Sequence, residues 1–212
     1  MTERPILFSA PMIRALLAGT KTQTRRVLRT KGTFGLALPD PVSIPGHRLV
    51  YGWDQHGPGA RSPAVHCPYG EPGDRLWVRE NGWERPSLSA RDLREGADTW
   101  PPYEYDAEPL MCWADGELKG YGWKRRPSIH MPRWASRILL EVTKVRVQRL
   151  QEISEADCIA EGCPGGHGAF PGYAYNATPT EHYRYIWRSL HGVHSWDENP
   201  WVWAVSFRRL KP

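Results

Sequence analysis

Apolar positions along this chain recur with two periods, and the period separates strands from helices. Arg137 to Arg149 alternates most clearly. Ile138, Leu140 and Val142 keep one side, and Val145 and Val147 resume after a slip at Thr143 and Lys144. Strict alternation marks a half-buried strand, and the slip predicts a bulge. Arg75 to Glu80 sets Leu76 and Val78 against Arg75, Trp77 and Arg79, just after the turn Pro72-Gly-Asp74. Trp201 to Leu210 alternates again and predicts the last strand. Ile6 to Ser9 and Thr22 to Leu28 predict two shorter strands. Helical spacing appears in three places. Ser9 caps a helix from Ala10 to Leu17, with Pro11 in its first turn, Met12, Ile13, Leu16 and Leu17 as its apolar stripe, and Gly19 as its stop. Ser154 caps Glu155 to Glu161, which Gly162 ends. Thr180 caps Glu181 to Leu190, where Tyr183, Trp187 and Leu190 share a face.

Between these elements lie two irregular blocks, about 29–72 and 81–135. The first is dense in Pro, Gly and His, and the second in Trp, Tyr and acidic residues. Loops of this length inside a compact domain are usually functional or mobile. Strands and helices do not alternate as a parallel sheet would require. The expected fold is therefore α+β: one domain over 1–212, a small mixed β-barrel with flanking short helices and two long loop insertions. The chain has no glycine-rich phosphate loop, dinucleotide fingerprint or Gly-x-Ser-x-Gly elbow.

Composition narrows the class. The 212 residues can bury a real core without staples. Eleven tryptophans with 20 Pro and 20 Gly suit a loop-rich domain with short strands. A net charge of +5 and a pI near 9.1 favour an anionic partner. Cys67, Cys112, Cys158 and Cys163 form no Cys-x-x-Cys pair and read as reduced thiols. His66 beside Cys67, and His130 alone, lack neighbours in sequence for a metal site, so no metal or organic cofactor is expected. There is no signal peptide and no apolar run near the roughly 18 residues of a membrane helix. A cytoplasmic protein that does not enter membranes is expected.

Candidate chemistry concentrates in Gly19-Thr-Lys-Thr-Gln-Thr-Arg-Arg26. A lysine three residues before a threonine, at a helix-to-strand junction, can place an amine and a hydroxyl in one pocket. That pair can do nucleophilic chemistry if the amine is desolvated. It can equally hold a phosphate or a base edge. Alternation along the strand puts Thr22, Thr24 and Arg26 on one face and Gln23, Arg25 and Val27 on the other. Glu161 closes its helix, where the macrodipole disfavours a carboxylate, and shares a face with Asp157 and Cys158. Glu80 is a rival carboxylate at the mouth of the second insertion. Lys124, Arg125, Arg126, Arg133 and Arg137 surround Trp123 and Trp134, a mixture that suits single-stranded or splayed-out nucleic acid.

Leu17-Ala-Gly-Thr-Lys-Thr-Gln-Thr-Arg-Arg26 resembles the Gly-x-Lys-x-x-x-x-Arg signature of ASCH domains, small β-barrels of the PUA-like superfamily associated with RNA. Pro72 to Val78, Leu150 to Gly162 and Trp201 to Leu210 resemble that family's later segments in the same order. The match covers about half of the chain, and the whole also resembles ASCH proteins carried by phages and prophages. The site resembles that of the bacterial ASCH amidohydrolases acting on N4-acetylcytidine. That resemblance implies Thr24 as nucleophile, Lys21 as the group that activates it, and Glu161 as an acid/base or orienting carboxylate. Arg25, Arg26, Arg133, Trp134 and Glu80 are then candidates to bind substrate, and a nucleoside or single-stranded RNA is the implied partner. The long insertions set this chain apart from the small enzyme. A non-catalytic module reading RNA or modified nucleic acid, a ribonuclease and a phage assembly protein are the alternatives.

Overall fold

The computed structural model describes residues 1–29, 40–42, 50–52, 66–87, 101–109 and 115–210, with 40–42 and 50–52 as backbone only. Five strands form the main sheet, in the order β1 (Glu3–Leu7), β5 (Arg75–Arg79), β9 (Leu139–Arg149), β12 (Trp201–Leu210) and β2 (Gln23–Val27). The first pair is parallel and the others antiparallel. Around this sheet lie α1 (Ala10–Leu17), α3 (Glu155–Ala160) and α4 (Pro179–His191). The two-stranded pair β3 (Asp40–Val42) and β4 (Val50–Gly52) lies in the first block, and β10 (Gly166–His167) pairs with β11 (Asn176–Ala177) before α4.

The long alternating segments become the spine of the sheet. β9 and β12 pair along nearly their whole length. Ser206 faces Lys144 while Phe207 faces Val142, which leaves Thr143 as the extra residue of a bulge. β12 is buried on both faces. Trp203, Val205 and Phe207 enter a core with Ile6, Phe8, Ile13, Leu16, Leu76, Val78, Leu140 and Val142. Val202, on the opposite face, joins Leu150, Ile153, Cys158, Tyr183 and Trp187, which seat α3 and α4. Each large side chain buried in this way contributes about 1.5–3 kcal/mol.

Three expectations change. The described residues form an open five-stranded sheet, and no closed barrel is found among them. Its edge strands are β1 and β2, and the Arg26 guanidinium at the end of β2 donates to the Leu7 carbonyl at the end of β1. Second, the block 81–135 contains a sheet of its own, in the order β7 (Tyr103–Tyr105), β6 (Gly82–Glu84) and β8 (Lys124–Arg126). Helix α2 (Asp115–Gly120) packs with it through Trp83, Leu118 and Trp123. Strands of three residues show too little alternation to be read from sequence. Third, α4 starts at Pro179 and is capped by Thr178, whose hydroxyl accepts from Glu181 N while the Glu181 carboxylate accepts from Thr178 N. This capping box puts Pro at the first helical position, where its missing N–H costs nothing. Leu190 lies on the exposed side of this helix. Ser9 occupies the cap position of α1 without making a side-chain capping bond, whereas Ser154 accepts from Asp157 N as expected. Among the described residues, no helix is long and apolar enough to cross a membrane.

The small sheet tests this description at Gly82. A Cβ there would run into the Glu104 carbonyl and the Tyr103 ring on β7. Gly82→Ala is expected to cost about 1–3 kcal/mol in urea unfolding, the usual range for overpacking. A change within 0.5 kcal/mol of zero, the usual effect of a neutral surface substitution, would mean that β6 and β7 do not pack in this way.

Candidate functional site

The signature segment is held by backbone bonds before any side chain acts. After α1 the chain reverses at Gly19, whose φ of +75° lies in the region glycine tolerates best. Thr20 N and Lys21 N both donate to Ala15 O, at 3.0 and 3.1 Å. Thr22 then joins two elements: its N–H donates to Ala160 O at the end of α3, and its carbonyl accepts from Phe207 N on β12. Lys21 is thereby placed under the C-terminus of α3.

Its ammonium donates to the Glu161 carbonyl at 2.8 Å and to Glu161 Oε2 at 2.7 Å. The first bond satisfies a carbonyl that the helix end leaves free, and the charge complements the dipole there. The second explains how a carboxylate can sit at the disfavoured end of a helix. The other Glu161 oxygen, Oε1, accepts from Arg25 Nη1 at 3.3 Å. Arg25 Nη2 donates to Asp157 Oδ2 at 2.8 Å, and Arg25 Nη1 also donates to Gln23 Oε1. Gln23 Nε2 donates to Asp157 Oδ1 and to Ser206 Oγ, each at 3.1 Å. Arg146 on β9 completes the group with a bond to Asp157 Oδ1 at 3.1 Å. Three cations thus face two carboxylates. Lys21, Gln23, Arg25 and Glu161 are all buried.

The surroundings set the proton affinities. Burial pushes the Asp157 carboxyl up, but the Gln23 hydrogen bond and the charges of Arg25 and Arg146 outweigh it and hold the group below its ordinary 3.8. Burial raises the neighbouring thiols, Cys158 to about 11 and Cys163 to about 12, which leaves both unreactive. Cys67 is likewise buried, free and raised to about 11, and Cys112 lies outside the described residues.

The sequence-predicted residues divide into two places. Lys21, Arg25 and Glu161 converge. Thr24 is buried on the other face of β2 and makes no hydrogen bond to Lys21 among the described residues. Phe8 connects the two faces. The Lys21 ammonium lies 5.8 Å from its ring centroid, and the Arg26 guanidinium, on the Thr24 side, lies 5.3 Å from it. Glu80, Arg133 and Trp134 lie elsewhere. Glu80 is buried and pushed up by burial, against which the two Arg137 bonds at 3.0 Å act. Arg133 pairs with Glu3 at 3.0 Å, and Trp134 is exposed with its ring edge-on to Tyr103. The basic residues around Trp123 are at the surface and largely paired with carboxylates. Arg125 pairs with Asp106, Arg126 with Glu84, and Trp123 is buried. Its burial against Trp83 and Leu118 removes Trp123 as a stacking platform.

Sequence reasoning missed Asp157, Gln23, Arg146 and Phe8 as parts of the site. Asp157 carried a signal, since it lies four residues before Glu161 on the same helix face. The other three join only through the fold. Comparison with protein-family models, with curated proteins and with solved structures finds no match in any of the three.

Asp157 gives a pH test. Its folded-state affinity for a proton is lowered, so its contribution to stability is present above about pH 4 and is lost as pH falls through the folded value. Asp157→Asn should unfold about 1–3 kcal/mol more easily than the parent at pH 7. The gap should close as pH drops below 3.8. Urea unfolding of both proteins between pH 3 and pH 7 reads this directly, and a gap that stays constant with pH would remove the charge network as its cause.

Proposed function

We propose that the chain recognises a nucleoside or RNA base beside the Lys21–Glu161 pair and hydrolyses an N-acylated cytidine there, as an ASCH protein of the PUA-like superfamily working in the cytoplasm. The observation that carries this reading is the pair itself. Residues 140 positions apart meet in a buried contact of 2.7 Å, which joins two of the three groups the resemblance implies. A five-stranded sheet with Ile13 and Leu16 of α1 packed into its core suits the same reading.

The chemistry is a proton relay followed by acyl transfer. An ammonium carries three N–H groups, and Glu161 engages two of them. Lys21 passes a proton to Glu161 across their short contact and so becomes the base. Thr24 Oγ gives its proton to that amine and bonds to the acyl carbon. The tetrahedral intermediate collapses and the cytosine amine leaves with a proton from Lys21. Water then gives a proton to the neutral Lys21 amine as it attacks the acyl-threonine. Lys21 passes that proton to the departing Thr24 Oγ as the acid is released, and Glu161 returns its proton to Lys21. Arg26, on the Thr24 face, offers positive charge to the oxyanion. The reading requires Thr24 Oγ to come within reach of the Lys21 amine when substrate is bound, since the two share no hydrogen bond among the described residues.

A second reading has its own support. The Lys21 bond to the Glu161 carbonyl serves as a helix cap and the bond to its carboxylate as a buried ion pair, so a non-catalytic module that binds RNA or modified nucleic acid needs no relay. The two readings separate in one assay. Acetate release from N4-acetylcytidine is expected for the parent and is expected to fall by about 100-fold or more in Thr24→Ala and Lys21→Ala. Thr24→Ala should still bind the nucleoside in equilibrium dialysis. Folded parent protein that binds the nucleoside without releasing acetate would establish the binding module and end the hydrolase reading.

A further inference from the structure

A cavity of about 420 Å³ opens on the edge of β2, and its lining includes Arg26, Arg29, His66, Tyr69, His191 and Trp203. Among the described residues, its lining contains none of the Lys21 network and no Asp or Glu. The size falls within the range of small-molecule sites. Two guanidiniums, two imidazoles and a phenol surround one space, with the buried Trp203 ring as an apolar wall.

The two arginines differ from most others in the chain. Arg25, Arg75, Arg125, Arg126, Arg133, Arg137, Arg146, Arg184, Arg188 and Arg208 each have a carboxylate partner. Among the described residues, Arg26 and Arg29 pair with no carboxylate. Arg26 spends one donor on the Leu7 carbonyl, and its Nε is buried without a partner. A buried donor left in this state is costly unless something accepts from it. The positive charge of the pair is felt on both sides of the cavity. Burial first, then Arg26 and Arg29, hold His191 below its ordinary value. Burial raises Tyr69, and the same two arginines act to lower it. A multiply charged anion satisfies all of these groups together, and the fork of a guanidinium matches a phosphate best.

The cavity is also coupled to the site by the strand. Arg26 and Thr24 are alternate residues on one face of β2, about 7 Å apart along the backbone, short enough for one ligand to reach both. We propose that the cavity holds a phosphate group, so that the ligand of the Lys21–Thr24 site is a phosphorylated nucleotide and not a free nucleoside. This inference rests on the nucleoside-binding reading of that site. The phosphate has two chemical sources, the terminal monoester of a mononucleotide or the diester backbone of a strand.

Isothermal titration of the full chain separates the outcomes. The ligands are cytidine, cytidine 5′-monophosphate, a short oligocytidylate without terminal phosphate, and inorganic phosphate. The proteins are the parent, Arg29→Gln and His191→Asn, both changed at exposed positions. One of the two phosphorylated cytidines should bind the parent at least about tenfold more tightly than cytidine, the value of one charge-assisted contact. That advantage should shrink severalfold in Arg29→Gln and His191→Asn, with cytidine affinity unchanged. Preference for the monophosphate assigns a terminal group, and preference for the oligomer assigns a strand. Equal affinity for cytidine and both phosphorylated forms, or an advantage that survives in both variants, overturns the proposal. Binding of inorganic phosphate that depends on Arg29, without any cytidine effect, keeps the phosphate site and removes the nucleoside reading. Absence of binding by all four ligands overturns both. Acetate release from N4-acetylcytidine, measured on the same preparations, reports on the nucleoside reading independently.

Discussion

Asp157 and Glu161, one turn apart on α3, hold Lys21 and Arg25 from the signature segment and Arg146 from β9. Burying charges carries a desolvation cost of several kcal/mol per ion, which the mutual attraction offsets only when geometry and further hydrogen bonds are favourable. Here they are favourable. Each carboxylate oxygen of Glu161 accepts from a different cation, and Gln23 bridges Arg25 to Asp157. Removing one buried partner outright, without an isostere such as Asn to keep its hydrogen bonds, leaves the others unmatched at a cost of about 3–5 kcal/mol. The interaction therefore specifies where α3 meets β2 more than it adds to net stability. Through Thr22, which bonds to both α3 and β12, the same junction sets the position of the main sheet's edge.

β2 divides its duties by face. Gln23 and Arg25 turn toward α3 and are committed to the charge network. Thr24 and Arg26 turn the other way, toward Phe8 and the cavity beside the strand. The Lys21 ammonium reaches the same Phe8 ring from the network side. A strand with a period of two thus brings a group of carboxylate-paired cations and an arginine with no carboxylate partner among the described residues within a few residues of each other. The first can hold a reactive amine in place, and the second can draw an anion to it. The small sheet in the second block pairs Arg125 with Asp106 and Arg126 with Glu84, whereas Arg26 on β2 and Arg29 beyond it have no carboxylate partner among the described residues.

Much of this organisation was legible in the chain, and the reasons for success and failure are physical. β12 was read over its full extent, and the bulge in β9 at Thr143, because alternation over ten or more residues leaves little ambiguity. α3 was found because Ser154 and Gly162 bracket it with capping chemistry. Pro179 between two threonines hid the start of α4, since both Thr178 and Thr180 are plausible caps. The strands β6, β7 and β8 had too few residues to show a period, and Gly82 gave no hint of its tight packing. In the site, the convergence of Lys21 and Glu161 followed from the resemblance alone. The shared helix face of Asp157 and Glu161 was visible, but their partners on β2 and β9 were not, because ion pairs across the sheet leave no local spacing. Placing Glu80, Arg133 and Trp134 at the site failed for the same reason: they were grouped by sequence order, while the fold gives each a partner near β1, β7 or β9.

A double-mutant cycle on Lys21 and Glu161 tests the centre of this account most directly. Lys21→Met, Glu161→Gln and the double variant would be compared with the parent by urea unfolding at neutral pH. A direct buried contact predicts a coupling energy of about 1–3 kcal/mol, with the double variant less damaged than the sum of the single ones. Additivity within about 0.5 kcal/mol would mean that the two groups do not meet, and the site built around them would have to be abandoned.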